Sequence, residues 1–155
     1  MQHVQTRSTT SALVLTAVLI ALATLFTMYT KIPVPGIRGY FNVGDVVIMT
    51  SALLLGRKYG AYIGAIGPAL ADLFLGYAVF VPITFVVKGI EGYLVGTVYN
   101  NKTTTSALAA TILGGIIIVA GYFIAEYFVF APGVAIASIL TNAIQAVMSV
   151  IISMI

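Results

Sequence analysis

The run Leu13–Phe26, LVLTAVLIALATLF, holds no charged residue and does not alternate apolar with polar positions. A stretch of that kind reads as a membrane-spanning helix, which needs roughly 20 apolar residues. The rest of the chain confirms that reading: of 155 residues, 61% are hydrophobic and 7% charged, against about 25% charged in soluble domains. Surface-to-volume scaling leaves a soluble fold of this size too little interior for so much apolar surface. A membrane β-barrel needs alternation in segments of about ten residues, and the long unbroken runs exclude it. The expected fold class is an all-α integral membrane protein, a six-transmembrane-helix bundle with cytoplasmic termini.

Breaks in the apolar pattern place the helices at about 11–29, 43–55, 61–77, 79–99, 106–128 and 134–155. Residues 1–10 form a polar cytoplasmic tail, and 11–155 the membrane domain. The Ala21-Leu22-Ala23 sequence after Arg7 has the small-x-small form of a signal-peptide cleavage site. The apolar run continues to Met28, however, so the first helix is expected to be retained. The longest loop, 31–44, contains Pro33, Pro35, Gly36 and Gly39; it is either a connector or a lid over a site. Gly56-Arg57-Lys58-Tyr59-Gly60 and Ala131-Pro132-Gly133 read as turns. With six helices Arg7, Arg57, Lys58 and Lys102 fall on one side, Lys31 and Arg38 on the other. The usual excess of Lys and Arg in cytoplasmic loops then favours termini in the cytoplasm and the 31–44 loop outside, by four residues to two.

The net charge of +3 is dispersed and does not suggest nucleic acid. The absence of cysteine removes disulfides, thiolate metal sites and cysteine nucleophiles. The single histidine, His3, lies in the polar tail, so no metal site is expected. The chain lacks a G-x-x-x-x-G-K-[ST] phosphate loop, and the residues before Asp45, Asn42-Val43-Gly44, lack the first glycine of the Gly-x-Gly-Asp found in intramembrane aspartyl proteases. No catalytic residue and no enzyme activity are expected.

The ionisable residues are the functional candidates, since charge at membrane depth is costly and marks sites or pairs. Asp45, Asp72, Lys88 and Glu126 fall in the outer half of the helices under this topology. Lys88, at mid-depth, requires either an acidic partner (Asp72 or Glu126) or a polar ligand, while Glu91 is expected to face the cytoplasmic half. Ser138, Asn142, Gln145 and Ser149 form a polar stripe on the last helix. Asn142 and Gln145 each donate and accept hydrogen bonds, which suits the edge of a heterocycle. Tyr40, Phe41, Tyr77, Tyr122 and Tyr127 are either ring-stacking partners or interfacial anchors. Ala17 and Ala21, four apart, make a small face for close helix approach, either inside the bundle or against a partner.

Tyr40-Phe41-Asn42-Val43-Gly44-Asp45, Ala52-Leu53-Leu54-Leu55-Gly56, Gly67-Pro68-Ala69-Leu70-Ala71-Asp72-Leu73 and Val87-Lys88-Gly89-Ile90-Glu91-Gly92, together with Asn142-x-x-Gln145, resemble the substrate-binding S components of energy-coupling factor (ECF) vitamin transporters. The nearest likeness is to the riboflavin/hydroxymethylpyrimidine-type branch, over about residues 12–150. The resemblance implies a membrane protein that captures a vitamin or precursor outside the cell, with 31–44 as the lid. It implies docking through Ala17 and Ala21 onto a membrane coupling subunit carrying two ATPases. Together with the reading of buried polar groups and aromatics above, it places the expected ligand site among Asn142, Gln145, Lys88, Asp72, Tyr40, Asn42, Glu126 and Tyr122. The ligand expected is a small heterocycle of the hydroxymethylpyrimidine, riboflavin or pyridoxine class, with no covalent cofactor and ATP only on the partners. Two other readings stay open: a stand-alone proton-coupled carrier with Asp72, Lys88 and Glu126 as relay, and an accessory subunit whose charges only hold the bundle together.

Overall fold

Six helices make up nearly all of the computed structural model of the protein, which describes residues 9–33, 40–99 and 103–155. They are α1 (Thr9–Tyr29), α2 (Gly44–Leu55), α3 (Arg57–Phe74), α4 (Phe80–Val98), α5 (Thr104–Val129) and α6 (Pro132–Ser153). Between α1 and α2, β1 (Ile32–Pro33) pairs antiparallel with β2 (Tyr40–Phe41), Ile32 opposite Phe41. By length and composition α1, α4, α5 and α6 can each cross a bilayer. Their outward side chains are apolar: Val14, Val18, Phe85, Ile116, Leu140 and Val147 are exposed, while Thr84, Lys88, Glu91, Thr111, Glu126 and Gln145 are buried. A helix bundle in hydrocarbon has this arrangement, because the solvent is as apolar as leucine and the polar groups must find partners inside. The 12 residues of α2 reach about 18 Å, short of a hydrocarbon core roughly 30 Å thick.

Two expected turns are shorter than the sequence suggested. Gly56 alone, with φ +86°, reverses the chain between α2 and α3, a conformation open to a residue without Cβ. Arg57–Gly60 already belong to α3, and the Gly60 N–H donates to the Gly56 carbonyl at 3.0 Å. At the other site Pro132 is the first residue of α6, where its missing N–H costs nothing, so Gly133 is helical. Thr103 caps α5, accepting from the Ser106 N–H at 3.2 Å while the Ser106 hydroxyl accepts from the Thr103 N–H. The expected polar turn at Asn100–Lys102 lies outside the described residues, as do His3, Arg7 and Arg38.

The closest packing joins α3 to α4, where Gly60 and Gly64 meet the Lys88–Gly96 face. A Cβ built on Gly60 would lie 2.6 Å from the Gly92 carbonyl oxygen, and one on Gly96 would lie 2.6 Å from the Arg57 Cα. Small residues four apart on both helices let the backbones touch. On α1 the buried residues are Thr16, Ala23, Thr24 and Thr27. A Cβ on Gly67 would lie 2.7 Å from that of Ala23, and the Thr24 hydroxyl donates to the Gly67 carbonyl at 2.9 Å. Ala17 and Ala21 do not pack inside the bundle. Both are exposed on the opposite face of α1, beside Val14, Val18, Leu22 and Leu25.

Candidate solute-binding site

A charged cluster lies inside the bundle at the start of α2. Asp45, in the first turn, is fully buried and forms an ion pair with Lys88 of α4, which is 2% exposed. Glu91, also fully buried, stands 3.6 Å from the Lys88 ammonium on the same face of α4, three residues on. Gln145 of α6 donates to Asp45 Oδ2 at 2.7 Å and accepts from the Asn42 N–H at 3.0 Å. Asn42 in turn accepts from the Gly44 N–H at 2.8 Å through Oδ1. One glutamine side chain thus joins Asn42, the residue after β2, to the ion pair.

The sequence expectation for Lys88 is corrected on two points. Its partner is Asp45, not Asp72 or Glu126, because α2 packs against both α4 and α6 and its first turn faces Lys88. Glu91, expected to stand apart, belongs to the same cluster.

Next to this cluster is a cavity of about 40 Å³, room for a few waters. Its wall draws on five helices and the residue before α2: Thr27 near the end of α1, Asn42 before α2, Pro68 and Asp72 in the later half of α3, and Phe80, Thr84 and Lys88 from the start to the middle of α4. Tyr122 and Glu126 come from late in α5, and Ser138, Thr141, Asn142 and Gln145 from the first turns of α6 to just past its middle. The Thr84 and Tyr122 hydroxyls are 2.9 Å apart, and the Lys88 ammonium lies 5.5 Å from the centre of the Tyr122 ring, within cation–π range. Tyr77 and Phe80 meet edge to face with ring centres 6.3 Å apart, and Lys31 lies 5.2 Å from the Tyr77 ring centre. Ser138 donates to Glu126 Oε2. Two buried donors at the wall have no hydrogen-bond partner among the described residues: Asn142 Nδ2 and the hydroxyl of Thr27, which is 1% exposed. A buried polar group left unpaired costs about 1–3 kcal/mol, so both are poised to bond a polar molecule entering the cavity.

Seven of the eight residues expected at the ligand site line this one cavity: Asn142, Gln145, Lys88, Asp72, Asn42, Glu126 and Tyr122. The Tyr40 side chain lies outside the described part of the structure. Thr27, Thr84 and Thr141 escaped notice in the sequence because threonine is common in apolar helices and often bonds its own helix backbone, as Thr16 and Thr111 do here. Thr84 had one usable signal, its spacing of four from Lys88. Ser138 was visible as part of the α6 stripe, but its bond to Glu126 was not.

Polar side chains converging with the Tyr77, Phe80 and Tyr122 rings on one enclosed cavity are the features of a small-molecule site, here inside an apolar helix bundle of the membrane class. Residues 7–155 match the family model for the S component of the ECF-type riboflavin transporter, and the chain belongs to that family, whose members are transport components and not enzymes. A Pyrococcus woesei protein described as the uncharacterized protein in the gap 3′ region is 42% identical over 132 residues, spanning 83% of this chain and 87% of that one. The thiamine precursor transporter HmpT of Lactococcus lactis subsp. cremoris (strain MG1363) is 30% identical over 139 residues, 89% of this chain and 78% of its own. The crystal structure of the S component for biotin from an ECF-type ABC transporter superposes with a TM-score of 0.67 at 21% identity, covering 94% of this chain and 89% of that one. At that identity the likeness establishes the fold.

Proposed function

We propose that this S component captures a small, uncharged heterocyclic vitamin or precursor, of the hydroxymethylpyrimidine, riboflavin or pyridoxine class, at the outer face of the cell membrane. It delivers the molecule inward together with a membrane coupling subunit and two cytoplasmic ATPases. The observation that carries this reading is the cavity wall, where Asn142 Nδ2 and the Thr27 hydroxyl are buried without partners among the described residues. The thiamine-precursor specificity named for the Lactococcus relative is in keeping with a ligand of this size. Under this reading both termini are cytoplasmic, the cavity opens outward, and the 31–44 segment is its lid. Gln145, bonded to both Asn42 and Asp45, couples lid position to the charged cluster.

Two experiments test the reading. Purified protein, probed by native mass spectrometry for a co-purifying heterocycle and then by calorimetry, is expected to bind one of these compounds. Asn142→Ala is expected to weaken that binding about 10- to 100-fold, the loss of one or two buried hydrogen bonds; unchanged affinity removes Asn142 from the site. In vesicles carrying the coupling subunit and ATPases, Ala17→Trp is expected to abolish ATP-driven uptake while leaving calorimetric binding intact, because a bulky ring replaces the small exposed face of α1. Full uptake by this variant contradicts docking through Ala17 and Ala21.

A stand-alone carrier is the second reading, favoured by the two Glu91 oxygens, buried with no hydrogen-bond donor among the described residues beside Lys88. Buried acid–base groups of this kind serve as proton relays. Gradient-driven accumulation by this chain alone in vesicles supports the carrier, and its absence supports the S component.

A further inference from the structure

We propose that the outer groove between α5 and α6 holds one acyl chain of a membrane phospholipid, recognised by its chain and not by its headgroup. This site stands apart from the solute cavity, with which it shares no lining residue.

The groove has a volume of about 570 Å³ and is lined by twelve residues, every one of them apolar. It runs along residues 112–123 of α5 and 139–151 of α6, about 17–18 Å at 1.5 Å per residue. Its floor is Gly115 against Ala146, where a Cβ built on Gly115 would lie 3.1 Å from the Ala146 Cβ. The two helices touch there. Ile116 and Phe123 form one rim, Ile139 and Val147 the other, and Ile116 and Val147 are more than half exposed. Small residues below and bulky ones on both sides make a slot and not a flat face.

The size of the slot selects its occupant. Its volume over its length leaves a mean cross-section of about 30–35 Å². A helix 10–12 Å across needs roughly 80–110 Å², so a helix of a partner or of a second copy does not seat in it. Twelve lining residues also fall short of the roughly 20–30 a side found in stable protein interfaces. Carbon atoms pack at about 3.5–4.0 Å, which gives a methylene chain a section on the order of 20 Å²; one chain fits and two do not. The length is a little over half of a hydrocarbon core roughly 30 Å thick, the reach of a chain from one leaflet. Among the described residues α1, with its Ala17 and Ala21 face, makes no contact with α5 or α6, so a protein seated on that face leaves the slot to lipid.

The headgroup end is marked by aromatic residues. One turn beyond Phe123, the Tyr127 ring lies 6.1 Å from it and 5.3 Å from the ring of Phe128, which is 81% exposed. Tyrosines gather at the headgroup level of a bilayer. No charged residue lines the slot among those described, so chain packing and not headgroup charge decides what binds. An empty slot forfeits dispersion contacts along both rims, and a resident chain restores them on the helix pair that carries Tyr122 and Asn142.

The test places the full chain in vesicles of phosphatidylcholine with a diazirine in one acyl chain, photolyses them and maps the labelled peptides by mass spectrometry. Labelling along the slot is expected to exceed that at Val18 of α1 and Val86 of α4, which are exposed to the same degree as its rims, by about tenfold. Ala143→Phe fills the slot from its α6 side and is expected to bring its labelling down to that of the other faces. Ala120→Phe fills it from the α5 side and serves as the second variant. Val86→Phe is the control and is expected to leave slot labelling unchanged, with thermal unfolding as the check on folding. Phosphatidylglycerol carrying the same chains is expected to label the slot equally. Uniform labelling of all apolar faces in the wild type overturns the proposal, as does slot labelling that persists in a folded filling variant. A slot left unlabelled while the other faces react is covered by protein, which overturns it too. Labelling by phosphatidylglycerol alone shows headgroup recognition and overturns the claim that the chain decides.

Discussion

Lys88→Met is expected to destabilise the protein more than any other substitution in the charged cluster, by about 3–5 kcal/mol, the range for breaking a buried ion pair from one side. The reason is the geometry around one ammonium group. Asp45 and Glu91 are both fully buried, and both face Lys88. Removing the cation leaves two carboxylates together in a low-dielectric interior, with the Gln145 amide on Asp45 as the sole remaining donor described there. Asp45→Ala is expected to cost less, because Lys88 keeps Glu91 at 3.6 Å. Replacing all three at once, Asp45→Leu, Lys88→Met and Glu91→Leu, is expected to recover most of the lost stability, since a well-packed apolar set often matches a buried ionic one. Thermal unfolding of the purified variants in one detergent reads the ranking. Wild-type stability for Lys88→Met, or a triple variant no better than that single one, contradicts the assignment of Lys88 as the shared counter-ion.

Gly92→Val is the second large effect expected, this time through sterics. A Cβ at Gly92 would lie 2.5 Å from the Gly60 carbonyl carbon and 3.2 Å from the Ala61 nitrogen. Both obstacles are backbone, so no rotamer change relieves the clash, and α3 and α4 must separate. Overpacking a close-packed core typically costs about 1–3 kcal/mol, and a backbone obstacle puts this site at the upper end or beyond. The damage is expected to spread to solute binding, because the same seam fixes Lys88 on α4 relative to Pro68 and Asp72 on α3. Gly133→Val is the control: a Cβ there meets nothing within 4 Å. Folded, monodisperse Gly92→Val protein of wild-type melting temperature rules out a seam that depends on backbone contact, and an equal loss in the control rules out a local cause.

The two predictions bear on different kinds of legibility. Ionisable residues in apolar sequence announce themselves, because every one of them carries a desolvation cost that the fold must answer. Lys88, Asp72 and Glu126 were therefore visible as inward-facing groups, and the helical spacing of Asn142 and Gln145 put them on one face. The pairing was not visible. Asp45 lies 43 residues from Lys88 along the chain, and three acids were available to one base. The choice among them depends on how α2 is set between α4 and α6. The helix limits behaved alike: apolar runs located the six helices, but turns at Gly56 and Pro132 tightened once backbone hydrogen bonds were counted.

Sequence alone determined the solvent, and with it the class of fold. A chain this apolar must be helical across a bilayer and must turn its few charges inward, because hydrocarbon offers them no partner. It also determined that Ala17 and Ala21 share a face, and the motif series pointed to the family. Tertiary structure decided which face that is, outward and not into the bundle, and which acid holds Lys88. It alone gathered residues of α1, α3, α4, α5 and α6, with Asn42 before α2, around one cavity. It left Asn142 and Thr27 at that wall with donors that find no partner among the described residues. Periodicity fixes a side chain's direction from its own helix axis, but contact depends on the rotation and depth of neighbouring helices, which close glycine packing and buried charge set together.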